Sequence, residues 1–351
     1  MPEQPRREPA PVPVAHLAQN EGIFGPVAAA RRAIAEAAGR GNRYPEAGTG
    51  ALRRAIGARY GIPAERIVVA AGSTAVIHYL SLCLLGPGDE VVFGHPTFVA
   101  YRLETANRGA TAVPVPLTEH GSYDLDSLLA AVTPRTKLAY VTNPNNPTGG
   151  MVARDEVRAF LDALPAHVLP VIDEAYFDYV EDPGYPDSIK EFCSEDRPVA
   201  VLRTFSKIFG LAGLRVGFGV LPAEIAKAAR KIQVPYDVNG PAAAAALATL
   251  DAPEHEIAER RAATAAGREL LVSRLRALGF APLPSVANFV QVRVGDARAV
   301  AESLAAEGVF VRPLGSWGAP DSIRVTIGPP SEMDRFAEVF GRVARRTPAD
   351  S

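Results

Sequence analysis

The segment that most constrains this chain is residues 199–220, which reads VAVLRTFSKIFGLAGLRVGFGV. Two apolar runs of strand length enclose a polar turn that ends in Lys207, and Arg215 follows eight positions later. A lysine at the end of a buried strand is costly unless its amine is paired or covalently bound, because burial disfavours the charged form. Lys207 is therefore predicted to be a Schiff-base lysine, and a plain strand turn is the alternative.

Groups that can bind a phosphate lie close to this lysine. Thr204 and Ser206 supply hydroxyl groups and Arg215 a fixed cation, which together can hold a phosphate dianion such as that of pyridoxal phosphate. Ser73 and Thr74 begin a helix directly after a short strand and a glycine, where backbone N–H groups bind anions. Both segments are predicted anion sites, and an ordinary helix cap is the alternative at Ser73.

Strands alternate with helices from Ile67 to Thr204, which predicts right-handed βαβ units and a mostly parallel sheet covered on both faces. Ligands bind at the carboxyl ends of the strands in such sheets. Side chains able to contact a ligand follow the predicted strands: the stacking ring of Phe98 with Tyr101 close behind, the amide of Asn146, and Asp173 with Tyr176. Core packing is the alternative for Phe98.

A second, smaller α+β domain follows. A helical pattern from Pro253 to about Leu278 is long enough to bridge two domains, and strands are predicted at Asn288–Val294, Val309–Arg312 and Ile323–Ile327. We expect a flexible tail at 1–16, an N-terminal segment at 17–40 that packs with the small domain, a large cofactor-binding domain at 41–250, and an interdomain helix with the small C-terminal domain at 251–351. Pro170 lies within a predicted strand, and nothing in the sequence accounts for it.

Composition argues against several classes of protein. The 351 residues carry a formal net charge of −2, so the chain has no field that attracts nucleic acid, and no apolar run is long enough to cross a membrane. Cys83 and Cys193 are far apart and lack metal-ligand spacing, which indicates no metal site and favours a reducing cytoplasm. The glycine spacing of a dinucleotide-binding loop is missing, which argues against a nucleotide-binding α/β enzyme.

Five short motifs occur in order along the chain: Asn-Arg-Tyr-Pro at 42–45, Asn-Asn-Pro-Thr-Gly at 145–149, Asp-Glu-Ala-Tyr at 173–176, Thr-Phe-Ser-Lys at 204–207 with Gly-Leu-Ala-Gly-Leu-Arg at 210–215, and Arg-Val-Thr-Ile-Gly at 324–328. In combination they resemble the aspartate-aminotransferase fold family of pyridoxal-phosphate enzymes, in its histidinol-phosphate aminotransferase branch. The resemblance extends from about Leu17 to Ile327. It implies the PLP-dependent transferase fold type I, an α/β protein with a mostly parallel seven-stranded sheet sandwiched by helices, plus a smaller α+β domain.

The resemblance also implies a role for each site residue. Lys207 binds pyridoxal 5'-phosphate and moves the substrate proton, and Asp173 keeps the ring nitrogen protonated. Asn146 and Tyr176 hydrogen-bond the phenolate oxygen of the ring. The remaining assignments are the phosphate ligands Ser73, Thr74, Thr204, Ser206 and Arg215, the stacking ring Phe98, the substrate carboxylate clamp Arg324, and Tyr44, which reaches the phosphate of a partner subunit in a homodimer with shared sites.

The predicted amino donor is an aromatic amino acid or histidinol phosphate, and the predicted acceptor is a 2-oxo acid, 2-oxoglutarate. Phe24 replaces a tyrosine that helps to bind the substrate phosphate in histidinol-phosphate aminotransferases, and it makes the pocket more apolar. The residues that look like the histidinol-phosphate pattern are Tyr101, Tyr236, Asn239 and Arg312. A decarboxylase or an oxidase with the same lysine, aspartate and arginine is the alternative reaction, and a non-enzymatic module of the same fold is a further alternative.

Overall fold

The computed structural model describes residues 14–193 and 197–346. Its strands are β1 (Ala15–His16), β2 (Ile67–Ala70), β3 (Glu90–His95), β4 (Thr111–Pro116), β5 (Thr136–Thr142), β6 (Leu169–Asp173), β7 (Ala200–Thr204), β8 (Gly217–Val220), β9 (Phe289–Arg293), β10 (Val309–Phe310), β11 (Arg312–Pro313) and β12 (Ser322–Thr326). Its helices are α1 (Ala28–Ala38), α2 (Gly50–Tyr60), α3 (Ser73–Leu84), α4 (Ala100–Asn107), α5 (Leu125–Ala130), α6 (Arg154–Ala163), α7 (Ser188–Phe192), α8 (Ala223–Ile232), α9 (Gly240–Leu250), α10 (Glu254–Ala277), α11 (Ala297–Ala306) and α12 (Pro330–Arg346).

The large domain is built on a seven-stranded sheet. Its strand order is β2-β8-β7-β6-β5-β3-β4. β8 runs antiparallel to both of its neighbours, and every other adjacent pair is parallel. Parallel neighbours require crossover connections, which here are largely helical and cover the sheet. The predicted α/β fold with a mostly parallel seven-stranded sheet is confirmed.

Adjacent residues on the central strands belong to two different hydrophobic cores. Ile172 and Val201 pack into one core, while Val171 and Leu202 pack into the other. Successive side chains of a strand point to opposite faces, so the near-continuous apolar runs of β6 and β7 match a sheet that is buried on both sides. The carboxyl ends of β6 and β7 thereby place Asp173 and Thr204 at one edge of the sheet.

Pro170, which no sequence pattern explains, lies in the central strand β6. It pairs with Ala139 of β5, but the ladder between β6 and β7 begins one residue later, at Val171. On the β7 side Pro170 has no ladder partner. The lack of an N–H group in Pro170 therefore costs no ladder hydrogen bond to β7, and the proline is tolerated near the beginning of the strand.

The small domain has its own antiparallel sheet and core. The sheet order is β11-β12-β9, and the core includes Leu304 of α11 and Phe336 of α12. α10 joins the domains, because Ile257 near its start packs into the large-domain core and Leu271 near its end packs into the small-domain core. The strand predicted at 309–312 is instead two short strands, β10 and β11, which belong to different sheets.

The N-terminal segment corrects the prediction at two places. β1 pairs in parallel with β10, so the predicted tail is wrong at Ala15 and His16; the rest of that prediction, at 1–13, lies outside the described residues. Leu17 packs into the small-domain core as predicted for the segment 17–40, but α1 packs against α9 of the large domain. Small alanine side chains on both helices allow this close packing, and Ala30 is completely buried there.

Candidate active site

A cavity of about 460 Å³ lies at the carboxyl ends of β6 and β7, between the two domains. Twelve of the sixteen predicted site residues line it, although they come from segments far apart in sequence. These are Ser73, Thr74, Phe98, Asn146, Asp173, Tyr176, Thr204, Ser206, Lys207, Arg215, Arg312 and Arg324. The structure thus gathers most of the predicted groups around one space of ligand size.

Lys207 projects from the loop after β7 into this cavity. Its Nζ donates a hydrogen bond to the backbone oxygen of Asn20 at 3.1 Å. Burial, together with the guanidinium groups of Arg324 and Arg215, lowers the pKa of the amine to about 8, and the charges of Glu21 and Asp173 oppose this fall. A pKa near neutrality gives the amine an appreciable neutral fraction, as a nucleophilic or proton-transferring lysine needs.

Asp173, at the carboxyl end of β6, is a buried carboxylate held by neutral donors. Its Oδ2 accepts a hydrogen bond from the Tyr101 hydroxyl at 2.8 Å, and its Oδ1 accepts one from the backbone N–H of Ala175 at 3.2 Å. Burial raises the pKa of Asp173 to about 6, and the two hydrogen bonds and the charge of Lys207 oppose this rise. A cationic N–H group placed in the cavity would offset the cost of the buried negative charge.

Tyr101 is not at the cavity, and its predicted contact with substrate is corrected here. Its side chain is only 1% exposed and lies behind Asp173. The ring stacks on Tyr140 with centroids 4.2 Å apart, and the hydroxyl also shares a hydrogen bond with Thr142 at 2.9 Å. Tyr101 is the second residue of α4, and its buried hydroxyl supports the Asp173 carboxylate from within the core.

The predicted phosphate groups converge from two segments. Arg215 approaches the Ser206 hydroxyl at 3.4 Å, and Ser206 in turn accepts a hydrogen bond from Thr204 at 2.9 Å. α3 begins at Ser73 without a side-chain cap, so the N–H groups of its first turn lack a side-chain acceptor. Gly72 has φ +86°, and a Cβ at this position would lie 2.7 Å from Arg215, so glycine allows the guanidinium to approach the helix N-terminus.

Arg324, on β12 of the small domain, lines the cavity. Its guanidinium lies 5.4 Å from the ring centroids of both Phe289 and Trp317, and it donates hydrogen bonds to Asn146 Oδ1 and, at 2.8 Å, to the backbone oxygen of Ala18. Burial lowers the pKa of Arg324 to about 10. Its buried Nε has no hydrogen-bond partner among the described residues, so a donor remains available for an anion.

Four further residues singled out in the sequence lie away from this cavity. Tyr44 is 83% exposed and its ring stacks on Tyr236 with centroids 4.8 Å apart. Phe24 is 42% exposed and lies beside the guanidinium of Arg260. Asn239 caps the N-terminus of α9 through the backbone N–H of Ala242 and does not line the cavity. Within one chain these residues are surface groups, and their predicted roles stay predictions.

Eight cavity residues were not predicted from the sequence, and Gln19, Asn20, Glu21 and Trp317 are four of them. The first three precede Phe24 in a segment without a strand or helix pattern. Trp317 is the single tryptophan of the chain, which could have drawn attention to it. Its place beside Arg324 and Phe98 depends on the packing of the domains, which no local pattern encodes.

The donor set fits pyridoxal 5'-phosphate. The lysine of lowered pKa can bind the aldehyde of the cofactor. The buried carboxylate has no direct cationic hydrogen-bond donor and can pair with the pyridinium nitrogen. The hydroxyl–guanidinium cluster beside a helix N-terminus can bind the phosphate. Fold and site together define a pyridoxal-phosphate enzyme of the α/β class. The chain belongs to the aminotransferase class I and II family, whose model matches residues 12–340. It is a transaminase, and its cofactor is pyridoxal 5'-phosphate.

Curated relatives and solved structures agree with this assignment. An aromatic amino acid aminotransferase from Thermobifida fusca is 45% identical, with 95% of this chain and 91% of the relative covered. Histidinol-phosphate aminotransferase 1 from Nitrosococcus oceani is 41% identical, with 93% and 88% covered. The structure of histidinol-phosphate aminotransferase from Sinorhizobium meliloti in complex with pyridoxal-5'-phosphate matches with a TM-score of 0.87 and 32% identity, covering 95% of this chain and 91% of that one.

No helix in residues 14–193 and 197–346 is both long and apolar enough to span a bilayer.

Proposed function

We propose that this aminotransferase takes its amino group from an aromatic amino acid and passes it to a 2-oxo acid, 2-oxoglutarate. The observation that carries the proposal is the aromatic surface beside the carboxylate clamp: Trp317 lies against Arg324 and against Phe98 at the cavity. An α-carboxylate bound by Arg324 would leave the side chain of the substrate next to these rings, which favour an apolar, flat group. The relatives named aromatic amino acid aminotransferases support the same choice.

The proposed roles of the site residues follow from their geometry. Bound pyridoxal phosphate supplies a conjugated ring that takes up the electron pair of the broken Cα–H bond. Lys207 Nζ takes the Cα proton as a general base and returns it as a general acid, for which its pKa near 8 suits neutral pH. Asp173 holds the ring nitrogen, and Arg324 orients the substrate through a forked contact with the carboxylate.

The test is a half-reaction without acceptor. Purified holoenzyme is mixed separately with phenylalanine, tyrosine, histidine and histidinol phosphate, and the visible absorbance band of the cofactor is followed as it converts to the amino form. We expect conversion with phenylalanine and tyrosine, and recovery of the band when 2-oxoglutarate is added. Release of carbon dioxide or uptake of oxygen with the aromatic acids would contradict transamination of these substrates.

Histidinol phosphate is the second candidate donor, and Arg312 is the observation that favours it. The guanidinium lines the cavity, its Nη2 donates to Gln19 Oε1 at 2.9 Å, and its buried Nε has no partner among the described residues. Such a donor can meet a substrate phosphate. If histidinol phosphate is the substrate, Arg312→Gln raises its KM at least about tenfold, the scale of one lost charge-assisted hydrogen bond. With phenylalanine the same change leaves KM nearly unaltered.

We also propose a homodimer with shared sites, supported by the exposed aromatic pair Tyr44 and Tyr236. Stacked rings that are 83% and 45% exposed are suited to an interface. The test mixes two defective variants, Tyr44→Ala and Lys207→Ala, after dissociation. A hybrid dimer would contain one site with both residues intact, so activity should return on mixing. If the variants recover no activity although they form hybrids, Tyr44 does not act across an interface.

A cytoplasmic location is part of the proposal. Cys83 and Cys193 are both unpaired, as expected of a reducing compartment. Fractionation of cells that express the tagged protein from its own promoter tests this, and recovery in an oxidising compartment would contradict it.

A further inference from the structure

Asn20 has a backbone conformation that few residue types accept. It lies between β1 and α1, its side chain is 1% exposed, and its φ is +54°. Among the described non-glycine residues only Thr49, Arg215 and Tyr236 also have positive φ. Asparagine tolerates this left-handed region better than most residues, but a buried residue held there still carries backbone strain. Such strain is retained where surrounding contacts determine the conformation.

Two of those contacts are with groups that act in the reaction. The backbone oxygen of Asn20 accepts the hydrogen bond from Lys207 Nζ at 3.1 Å. The side-chain amide of Asn20 donates to the Tyr176 hydroxyl at 2.9 Å. One residue of the N-terminal segment thus touches both the amine and the tyrosine on that side of the cavity.

The small domain holds Asn20 in place. The backbone N–H of Asn20 donates to Thr326 Oγ1 at 2.9 Å, and the Thr326 hydroxyl donates to Asn20 Oδ1 at 3.1 Å. Asn288 adds a hydrogen bond to the Asn20 backbone oxygen at 3.2 Å. Thr326 lies two residues after Arg324 on β12, so the strand that carries the carboxylate clamp also fixes the residue that contacts the lysine.

We propose that Asn20 positions the two reacting groups of this site, with its left-handed backbone aiming a carbonyl at Lys207 Nζ and its carboxamide orienting the Tyr176 hydroxyl. A carbonyl oxygen is suited to positioning Lys207, because it accepts a hydrogen bond from the amine and adds no charge beside Arg324 and Arg215. An amide N–H donated to the Tyr176 oxygen strengthens that hydroxyl as a donor, since linked hydrogen bonds polarise one another. The inference rests on the proposed roles of Lys207 and Tyr176 and is independent of the choice of amino donor.

Two substitutions at Asn20 separate the carbonyl from the carboxamide. Asn20→Gly keeps the left-handed backbone and removes only the side chain, whereas Asn20→Val is close in size but rejects positive φ. The first measurement uses cofactor-free protein: the pKa of Lys207 from the pH dependence of its acetylation by acetic anhydride, read by mass spectrometry. We expect Asn20→Val to lower this pKa by about one unit, because a lost acceptor disfavours the ammonium form. Asn20→Gly should leave it unchanged.

The carboxamide is tested on the holoenzyme. In Asn20→Gly the Tyr176 hydroxyl loses its donor, so it stabilises the phenolate oxygen of the bound cofactor less well, and we expect the pH midpoint of the visible absorbance change to rise. Tyr176→Phe should raise the midpoint in the same direction, and Asn20→Gly should add little to it in the double variant. A midpoint that Asn20→Gly does not move would overturn the role of the carboxamide.

A second pair of variants guards against misfolding of Asn20→Val. Thr326→Val removes both hydrogen bonds to Asn20 at nearly constant volume, and Thr326→Ser keeps the hydroxyl. We expect the lysine pKa to fall in Thr326→Val and to stay at the value of the unmutated protein in Thr326→Ser. An unchanged pKa in folded Thr326→Val and Asn20→Val would overturn the role of the carbonyl. Failure of phenylalanine and tyrosine as donors of the unmutated enzyme would instead overturn only the proposed substrate.

Discussion

At the scale of single residues, the site depends on two titratable groups whose pKa values are shifted towards neutrality. Burial lowers the pKa of Lys207 to about 8 and raises that of Asp173 to about 6. Burial disfavours the charged form of each group, so it lowers the pKa of the lysine and raises the pKa of the aspartate, and the two values move closer together. Between about pH 6 and pH 8 the carboxylate is ionised and the amine can exchange its proton.

Lys207→Ala should abolish transamination while the fold is kept. Acid–base transfer by a positioned side chain contributes about 10²- to 10⁴-fold, so we expect turnover to fall by at least about 10²-fold. Cofactor should still bind without a covalent link, through Asp173 and the Arg215 cluster. Stopped-flow turnover and circular dichroism measure the two effects, with the exposed Lys227→Ala as the control. Turnover by Lys207→Ala at the rate of that control would contradict the assignment.

Tyr101→Phe should weaken cofactor binding in a pH-dependent way. The tyrosine hydrogen bond lowers the pKa of Asp173, so its loss raises that pKa above 6 and leaves more of the carboxyl group protonated near neutral pH. We expect cofactor affinity to fall several-fold at pH 7. The difference from the unmutated protein should shrink as the pH rises to 8.5, where Asp173 is ionised in both proteins.

Fluorescence titration of Trp317 with pyridoxal phosphate measures this affinity. Tyr79→Phe is the matched control, because Tyr79 also donates to a carboxylate, that of Asp237, and does not line the cavity. An equal loss at every pH, or the same loss in Tyr79→Phe, would show that Tyr101 does not act through the ionisation of Asp173.

At the scale of secondary-structure elements, a buried ion pair fixes the ends of β6 and β7. Arg203 donates to Glu174 Oε2 through Nε at 2.9 Å and through Nη2 at 2.7 Å, and both side chains are almost fully buried. Asp187 accepts from the same Nη2 at 2.7 Å. Glu174 follows Asp173 directly and Arg203 precedes Thr204, so the pair holds the backbone from which two site residues project.

Arg203→Ala should destabilise the protein strongly. It leaves Glu174 as an uncompensated buried charge, which costs about 3–5 kcal/mol of unfolding free energy. The control is Lys227→Ala at the exposed pair with Glu224, where about 0–1 kcal/mol is expected. Chemical denaturation of the cofactor-free proteins measures both values. A loss in Arg203→Ala no larger than in the control would contradict the structural role of the pair.

At the scale of the whole molecule, the site depends on how the small domain meets the large one. Trp317, in the loop after β11, approaches Phe98 of the large domain with ring centroids 6.3 Å apart. The next residue, Gly318, has φ +91°, and a Cβ there would lie 2.1 Å from His95 Nε2. Glycine therefore permits the loops of the two domains to touch beside the cavity.

Gly318→Ala should separate these loops. We expect the emission of Trp317 to shift to longer wavelength as water reaches the ring, and the KM for an aromatic donor to rise several-fold. Gly279→Ala is the matched control, since Gly279 also has positive φ but has open space around its Cβ position. It should cost about 1 kcal/mol in backbone strain and leave the emission unchanged. Equal spectra for both variants would contradict the proposed contact.

Much of the fold was predictable from local patterns. The alternation of strands with helices from Ile67 to Thr204 predicts the mostly parallel sheet, because strands that are buried on both faces read as apolar runs. Strand β4 carries a weak strand signal, because Pro114 and Pro116 interrupt its apolar residues. β10 and β11 were merged because the sequence does not reveal that Val309 pairs with Ala15 while Arg312 pairs with Arg324.

Sequence patterns predict the chemistry of the site: a lysine, an aspartate and hydroxyls expected to bind phosphate follow the strands, because alternating strands and helices put the strand ends at one edge. The packing of distant segments selects which other groups meet them. It turned Tyr101 behind Asp173, brought Trp317 to Arg324, and joined Asn20 to Lys207 across 187 positions of chain. Local patterns record how each segment buries its own apolar face, whereas contacts of this range arise from the packing of the N-terminal segment and the small domain onto the sheet.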